Sequence, residues 1–216
     1  GSEEYLDSEK YEVRERRLEG IRAEMAASGL RLGDPVFMRI FKESDELELW
    51  VKSGAAYALY KTFPICTWSG GLGPKLREGD GQSPEGYYSV ARAQMNPKSR
   101  YHLSFNLGFP NAFDRSQGRT GSFLMVHGDC VSIGCYAMTD AGIEEIWLIA
   151  DEALKAGQPE FLVHAFPFRM TDEALANHAS SQWLPFWRAL KIGHDRFEAT
   201  RIPPAVSVAN SAYVIN

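Results

Sequence analysis

Between Phe123 and Tyr136 the chain runs Phe-Leu-Met-Val-His-Gly-Asp-Cys-Val-Ser-Ile-Gly-Cys-Tyr, its densest cluster of reactive side chains. A cysteine nucleophile needs an imidazole nearby to take the thiol proton and hold the thiolate as an ion pair, which pulls the thiol below its usual pKa of about 8.5. It also needs backbone N–H groups aimed at the developing oxyanion, and a preceding glycine lets the backbone come close enough to supply them. His127 and Cys135 meet the first need if the turn between them folds back. Gly134 and Cys135 meet the second. Two other readings stay open on residue types alone. His127, Cys130 and Cys135 with His164 are a candidate zinc set, although structural zinc sites favour tighter paired spacing. Equally, a strand-end histidine and two thiols can be ordinary core residues.

The elements that must position these groups follow from the hydrophobic pattern. Residues 3 to 28 alternate charge densely, with Leu18, Ile21 and Met25 at helical spacing, and Gly29 and Gly33 stop the run, so a helical N-terminal extension (1–34) is expected ahead of a catalytic unit (35–216). From Val36 the pattern turns to period two and to β-branched and aromatic residues. Strands are expected at Val36 to Phe41, Leu47 to Val51, Tyr57 to Cys66, Tyr87 to Val90, Phe123 to Val126 and Phe161 to Phe166. Helices are expected after Cys135, with Ile143, Ile146, Trp147, Ala150 and Leu154 on one face, and from Asp172 to Leu190, where Pro185 kinks or divides the run. The proline-punctuated tail ends in short strand-like runs, Ala205 to Val208 and Tyr213 to Ile215. The result is a mostly-β fold with helices. The loops 69–84 and 106–121 are long and rich in glycine and proline, and loops of that length inside a compact unit usually have a task. Although 69–75 (SGGLGPK) looks like a phosphate cradle, it lacks the P-loop order and is read as a substrate loop.

Composition removes other classes of function. The 216 residues are 44% hydrophobic and 12% aromatic, enough for one core, and a net charge of -5 leaves no footprint for nucleic acid or an anionic membrane. No run reaches the roughly 20 apolar residues of a transmembrane segment. The chain opens Gly1-Ser2 without Met, which reads as a trimmed chain from which a leader has been removed. Three cysteines are too few for a disulfide scaffold, but they allow one pair and one free thiol.

His127-Gly128 followed by Ser132-Ile133-Gly134-Cys135 resembles the catalytic signature of the YkuD-type L,D-transpeptidase domain. The stretches 69–75, 79–80, 83–90 (SPEGYYSV), 108–115 (GFPNAFDR), 127–138, 167–172 (PFRMTD) and 203–204 resemble one branch of it, the YafK/DpaA type, over roughly residues 35 to 210. The resemblance implies a YkuD-like β-rich catalytic domain in a periplasmic peptidoglycan enzyme that needs neither cofactor nor metal. Carried over, Cys135 is the nucleophile, His127 its general base, the Gly128 carbonyl the group that orients the imidazole, and the amides of Gly134 and Cys135 the oxyanion hole. Ser132, Tyr136 and Arg169 are the expected substrate contacts, and in an oxidising compartment Cys66 and Cys130 are the expected disulfide. The implied substrate is a peptidoglycan stem peptide attacked at the L-centre carbonyl of meso-diaminopimelate. Ile133 stands where classical members of the family carry a second histidine, and no arginine follows the nucleophile. The YafK/DpaA type shares these departures. They favour an amidase that releases an outer-membrane lipoprotein from peptidoglycan over a transpeptidase that makes such links or 3–3 cross-links. An inert peptidoglycan-binding module is the third reading.

Overall fold

The computed structural model describes residues 8–216. Helix α1 runs over Ser8–Ala27, and residues 3 to 7 of the expected helix lie outside the described residues. Its end is a Schellman cap: Leu30 N–H donates to Met25 O (2.9 Å) and Gly29 N–H to Ala26 O (2.9 Å), with Gly29 at φ 74°, a left-handed conformation that glycine adopts without penalty. Val13, Leu18, Ile21 and Met25 are buried in the same core cluster as the sheet.

Nine strands form one mixed sheet: β1 (Val36–Phe41), β2 (Glu46–Ser53), β3 (Ala56–Trp68), β4 (Gly86–Ala91), β5 (Met95–Ser99), β6 (His102–Asn106), β7 (Met125–His127), β8 (Tyr136–Met138) and β9 (Glu160–Phe166), in the spatial order β4-β9-β1-β2-β3-β8-β7-β6-β5. Central β1 is buried at every position because both faces of the sheet are covered, which its unbroken run VFMRIF reflects. One face packs against α1 and α3 (Asp140–Lys155), which is capped by the Thr139 hydroxyl accepting from Gly142 N–H (3.0 Å) and lays Ile143, Ile146, Trp147 and Ala150 on the core. The other face packs against α5 (Leu184–Thr200) through Phe41, Tyr87, Phe166, Trp187 and Leu190. The tail forms the hairpin β10 (Val206–Ala209) and β11 (Ala212–Ile215). The fold is the expected β-rich, YkuD-like one.

The run from Asp172 to Leu190 is divided, one of the two outcomes expected of Pro185: it forms α4 (Asp172–Asn177) and α5, with Pro185 in the first turn of α5, where a missing N–H leaves no helical bond unmade. One expectation on element order fails. The chain after Cys135 does not enter a helix directly. It first makes β8, a three-residue strand parallel to β7 and antiparallel to β3. Helix α2 (Ala112–Ser116) is one short turn in the loop 106–121, capped by the Asn111 side chain accepting from Asp114 N–H (2.8 Å).

Candidate active site

The pairing of β7 with β8 sets the site. Their register is Val126 with Tyr136 and His127 with Ala137. Side chains alternate between faces, so Val126 and Tyr136 go into the core and His127 takes the opposite face, while Cys135 sits in the bend directly before Tyr136. Residues 128–135 make the connection, a short crossover for parallel strands. A disulfide ties it down: Cys130 is joined to Cys66 of β3, the Cα atoms 5.2 Å apart, and Cys130 N–H donates to Met138 O (3.2 Å). Asp129 and Cys130 both sit at positive φ, 66° and 53°, in the tight turn this requires, and Asp129 N–H is held by Asp140 Oδ1 (2.9 Å). Gly128 has no room for a side chain. A Cβ there would stand 2.8 Å from Asp140 Oδ1 and 2.9 Å from Tyr101 O.

His127 is buried, and its Nδ1 lies 2.6 Å from Gly128 O. A carbonyl oxygen only accepts, so Nδ1 carries the proton and Nε2 keeps its lone pair, the tautomer a general base requires. The Tyr101 ring packs against the imidazole at a centroid distance of 4.6 Å. Burial pushes the imidazole below its ordinary pKa, with the Gly128 carbonyl and Asp129 opposing. Burial likewise pushes the Cys135 thiol up, against the Met125 N–H and the positive charge of Lys75. Both shifts favour the neutral imidazole and the neutral thiol over an ion pair. The thiol donates to Phe123 O (3.4 Å) and accepts from Met125 N–H (3.4 Å), and no hydrogen bond joins it to His127.

The glycine-rich loop 69–84 clamps Cys135. Ser83 Oγ donates to Cys135 O (3.0 Å), Ser132 Oγ donates to the same carbonyl, and Ser69 Oγ donates to Ser132 O (3.1 Å). The loop is itself anchored by Lys42 and Glu85, both fully buried and 3.0 Å apart. Lys75 and Asp80 form a second pair at 2.6 Å. Burial works to raise the Asp80 carboxyl, but the Lys75 ammonium and the N–H groups of Leu76, Arg77 and Gln82 outweigh it and hold the pKa at about 2. Beside this turn lies a pocket of about 160 Å³ bordered by Lys75, Glu78, Gly121, Phe123, Ile133 and Gly134.

Three expected substrate contacts are placed differently. Tyr136 is fully buried with its hydroxyl donating to Pro84 O (2.7 Å); strand alternation turns it away from the face Cys135 occupies. Arg169 is engaged by Glu48 (2.6 Å) and Glu46 (3.1 Å) and lies over the Phe41 ring, apart from the groups around Cys135. The Ser132 hydroxyl is turned onto the Cys135 carbonyl and so acts on the position of that residue. The zinc set is not assembled: Cys130 is in the disulfide, and His164 lies on β9 between the Phe37 and Tyr87 rings. Ser83, Tyr101 and Lys75 were not singled out as site residues. Ser83 and Lys75 carry a signal only in their membership of the long loop, and Tyr101 carries none.

No family-wide sequence model matches the chain. It is 54% identical over 185 residues, 86% of its own length and 75% of the relative's, to the YafK protein of Escherichia coli strain K12, whose name places it among the L,D-transpeptidases, and equally to that of strain O157:H7. Among solved structures, a variant of the helical cell shape determining protein Pgp2 from Campylobacter jejuni superposes with a TM-score of 0.51 at 19% identity, over 76% of this chain and 56% of that one, a likeness of fold. A parallel β7–β8 pair that sets a tautomer-fixed histidine beside a glycine-preceded cysteine, on a chain more than half identical to YafK, makes this protein a member of the YafK-type L,D-transpeptidase family.

Proposed function

We propose that this protein is a periplasmic cysteine acyl-transfer enzyme of peptidoglycan that cleaves the amide at the L-centre carbonyl of meso-diaminopimelate, releasing a covalently attached outer-membrane lipoprotein. The observation that carries this reading is the fixed tautomer of His127, with Nδ1–H on the Gly128 carbonyl and the Nε2 lone pair kept, on a strand paired with the one that directly follows Cys135. In the first half-reaction Nε2 takes the thiol proton as Sγ attacks the carbonyl carbon. The amides of Gly134 and Cys135, which take no part in the loop hydrogen bonds around them, receive the oxyanion. Collapse breaks the C–N bond, the leaving amine takes the proton from the imidazolium, and a thioester remains. Water then attacks, giving up a proton to Nε2, and the stem carboxylate leaves as the thiol is restored. The Cys66–Cys130 disulfide suits an oxidising compartment such as the periplasm. No helix among the described residues is long and apolar enough to cross a membrane.

Transpeptidation is the second reading, favoured by the name of the E. coli relative; it differs only in that an amine resolves the thioester. Mass spectrometry of products separates the two. Lipoprotein-derived muropeptides should yield free diaminopimelyl tripeptide with the native protein and none with Cys135→Ala. New amide-linked products from tetrapeptide stems plus an amine, without release from the first substrate, would overturn the amidase.

A further inference from the structure

A turn on a neighbouring hairpin grips the His127 imidazole. Strands β5 and β6 pair Ser99 with His102, so Arg100 and Tyr101 alone make the connection, and β5 is the outermost strand of the sheet. The turn meets the histidine twice. Tyr101 O accepts from Gly128 N–H (2.8 Å), and the Tyr101 ring packs on the imidazole at a centroid distance of 4.6 Å with the planes 31° apart. Gly128 is the residue whose carbonyl fixes the tautomer of His127, so its peptide group is held on both sides, by Tyr101 at the N–H and by His127 at the C=O. The ring is 40% exposed and the imidazole under it 2% exposed, which places the ring on the solvent side of the histidine.

An edge hairpin needs outside anchoring to hold such a position. His102 sits at φ 73°, a left-handed conformation that costs a residue with a side chain energy. A buried carboxylate holds it there. His102 Nε2 donates to Glu144 Oε2 (2.7 Å) on α3, and the same carboxylate accepts from Arg16 Nη2 (2.9 Å) and Arg17 Nη1 (2.7 Å) of α1, which packs against β5, β6 and α3. Tyr101 N–H donates to Ser99 Oγ (3.1 Å) and closes the turn. Trp147 Nε1 of α3 donates to Ser104 O (2.9 Å), and Ser104 is the residue of β6 paired with His127.

We infer that the turn 99–102 is the clamp of the His127 imidazole, with Tyr101 a positioning residue and the N-terminal helix its outer anchor through Arg16, Arg17 and Glu144. The inference rests on the reading of His127 as the base and goes beyond it. It makes α1 part of the working site, although none of its residues reaches the groups around Cys135.

The test reads the imidazole itself, through the nitrogen and proton magnetic resonances of His127 in the full chain, assigned by their loss in His127→Gln. The native protein should show one tautomer, protonated at Nδ1, that titrates below the ordinary imidazole value of about 6.5. In Tyr101→Ala the ring should exchange between tautomers and titrate closer to that value, while Tyr101→Phe, which keeps the packing, should match the native protein. Asp129, whose charge acts on the imidazole, is unchanged in every variant. Arg16→Gln/Arg17→Gln should move the His127 resonances in the same direction as Tyr101→Ala and leave those of His164, on β9, where they were; that internal reference separates a loosened clamp from a loss of fold. With the diaminopimelyl stem as substrate, Tyr101→Ala should lower kcat by about tenfold or more at nearly constant KM, because a misplaced base is felt in the reaction step. His127 resonances in Tyr101→Ala identical to the native ones overturn the clamp, and identical ones in the double arginine variant overturn the part of the helix in it. If the native protein turns over no stem, the proposed function has failed, and the resonances decide the clamp without it.

Discussion

Glu85→Gln tests whether the buried ion pair behind the loop 69–84 holds the site in shape. Glu85 is fully buried; Oε2 accepts from Lys42 Nζ and from Gly73 N–H (2.8 Å), and Oε1 accepts from Trp187 Nε1 (2.8 Å) on α5. The carboxylate therefore links β1, the loop and α5, two residues from the Ser83 hydroxyl that holds the Cys135 carbonyl. The amide keeps the volume and removes the charge. Lys42, whose pKa burial already lowers against the pull of Glu85, is then left with Gly71 O (3.2 Å) and Gly73 O (2.9 Å) alone. Removing one partner of a buried pair costs about 3–5 kcal/mol. For a chain of this length, at about 2–4 °C per kcal/mol, the melting temperature should fall by roughly 6–20 °C. Calorimetry measures that fall, and the acylation rate of Cys135 in the folded variant at 25 °C reports the loosened clamp. Lys42→Met/Glu85→Gln should cost less than the sum of the two singles, since it leaves no unpaired buried charge. In Glu85→Gln the deficit should also shrink as pH rises toward about 10. The unfolded lysine keeps its proton in that range while the folded one sheds it, and stability rises with pH wherever the unfolded state binds more protons. A Glu85→Gln protein that melts within 2 °C of the native one and acylates as fast would refute the argument.

The neutral resting pair predicts a pH profile. Burial lowers the His127 pKa, so the acid limb of kcat/KM should fall at a midpoint below the ordinary imidazole value of about 6.5, and a midpoint above it would contradict the buried base. Burial raises the Cys135 thiol, so alkylation by iodoacetamide at pH 7 should be slower than that of a free thiol, which is roughly 3% thiolate there; a rate constant across pH 5–8 would instead indicate an ion pair. The Cys66–Cys130 bridge spans 64 residues, for which loop-closure entropy gives about 4 kcal/mol. Cys66→Ala/Cys130→Ala should lower stability to chemical denaturation by about that amount, and an unchanged midpoint would show that the bridge contributes nothing.

The candidate site was legible because it is local. His127, Gly134 and Cys135 fall within nine residues, and a strand followed by a glycine-bearing turn is a short-range pattern. What was missed depends on pairing between distant segments. Strand β8 is three residues long, too short for a period-two signal, and without it the alternation that sends Tyr136 into the core and Cys135 out of it is invisible. The β5–β6 hairpin hides behind Pro97 and a polar run that reads as loop. Arg169 looked available because Glu46 and Glu48, its partners, lie more than 120 residues earlier. The Ser83 bond to Cys135 O crosses 52 residues, a distance over which spacing carries no information.

A thiol kept neutral until substrate arrives fits both the compartment and the chemistry proposed for it. A standing thiolate in an oxidising environment would be the first group oxidised or captured in a mixed disulfide. Here burial favours the protonated thiol, which lies between Phe123 O and Met125 N–H, and His127 has its Nε2 lone pair already fixed. In the proposed mechanism, proton transfer becomes favourable when a carbonyl reaches the amides of Gly134 and Cys135 and charge moves from sulfur onto an oxygen that they receive. The loop 69–84 does two jobs with one set of bonds. Ser83 sets the Cys135 carbonyl, and the Lys75–Asp80 turn in the same loop shapes the adjoining pocket.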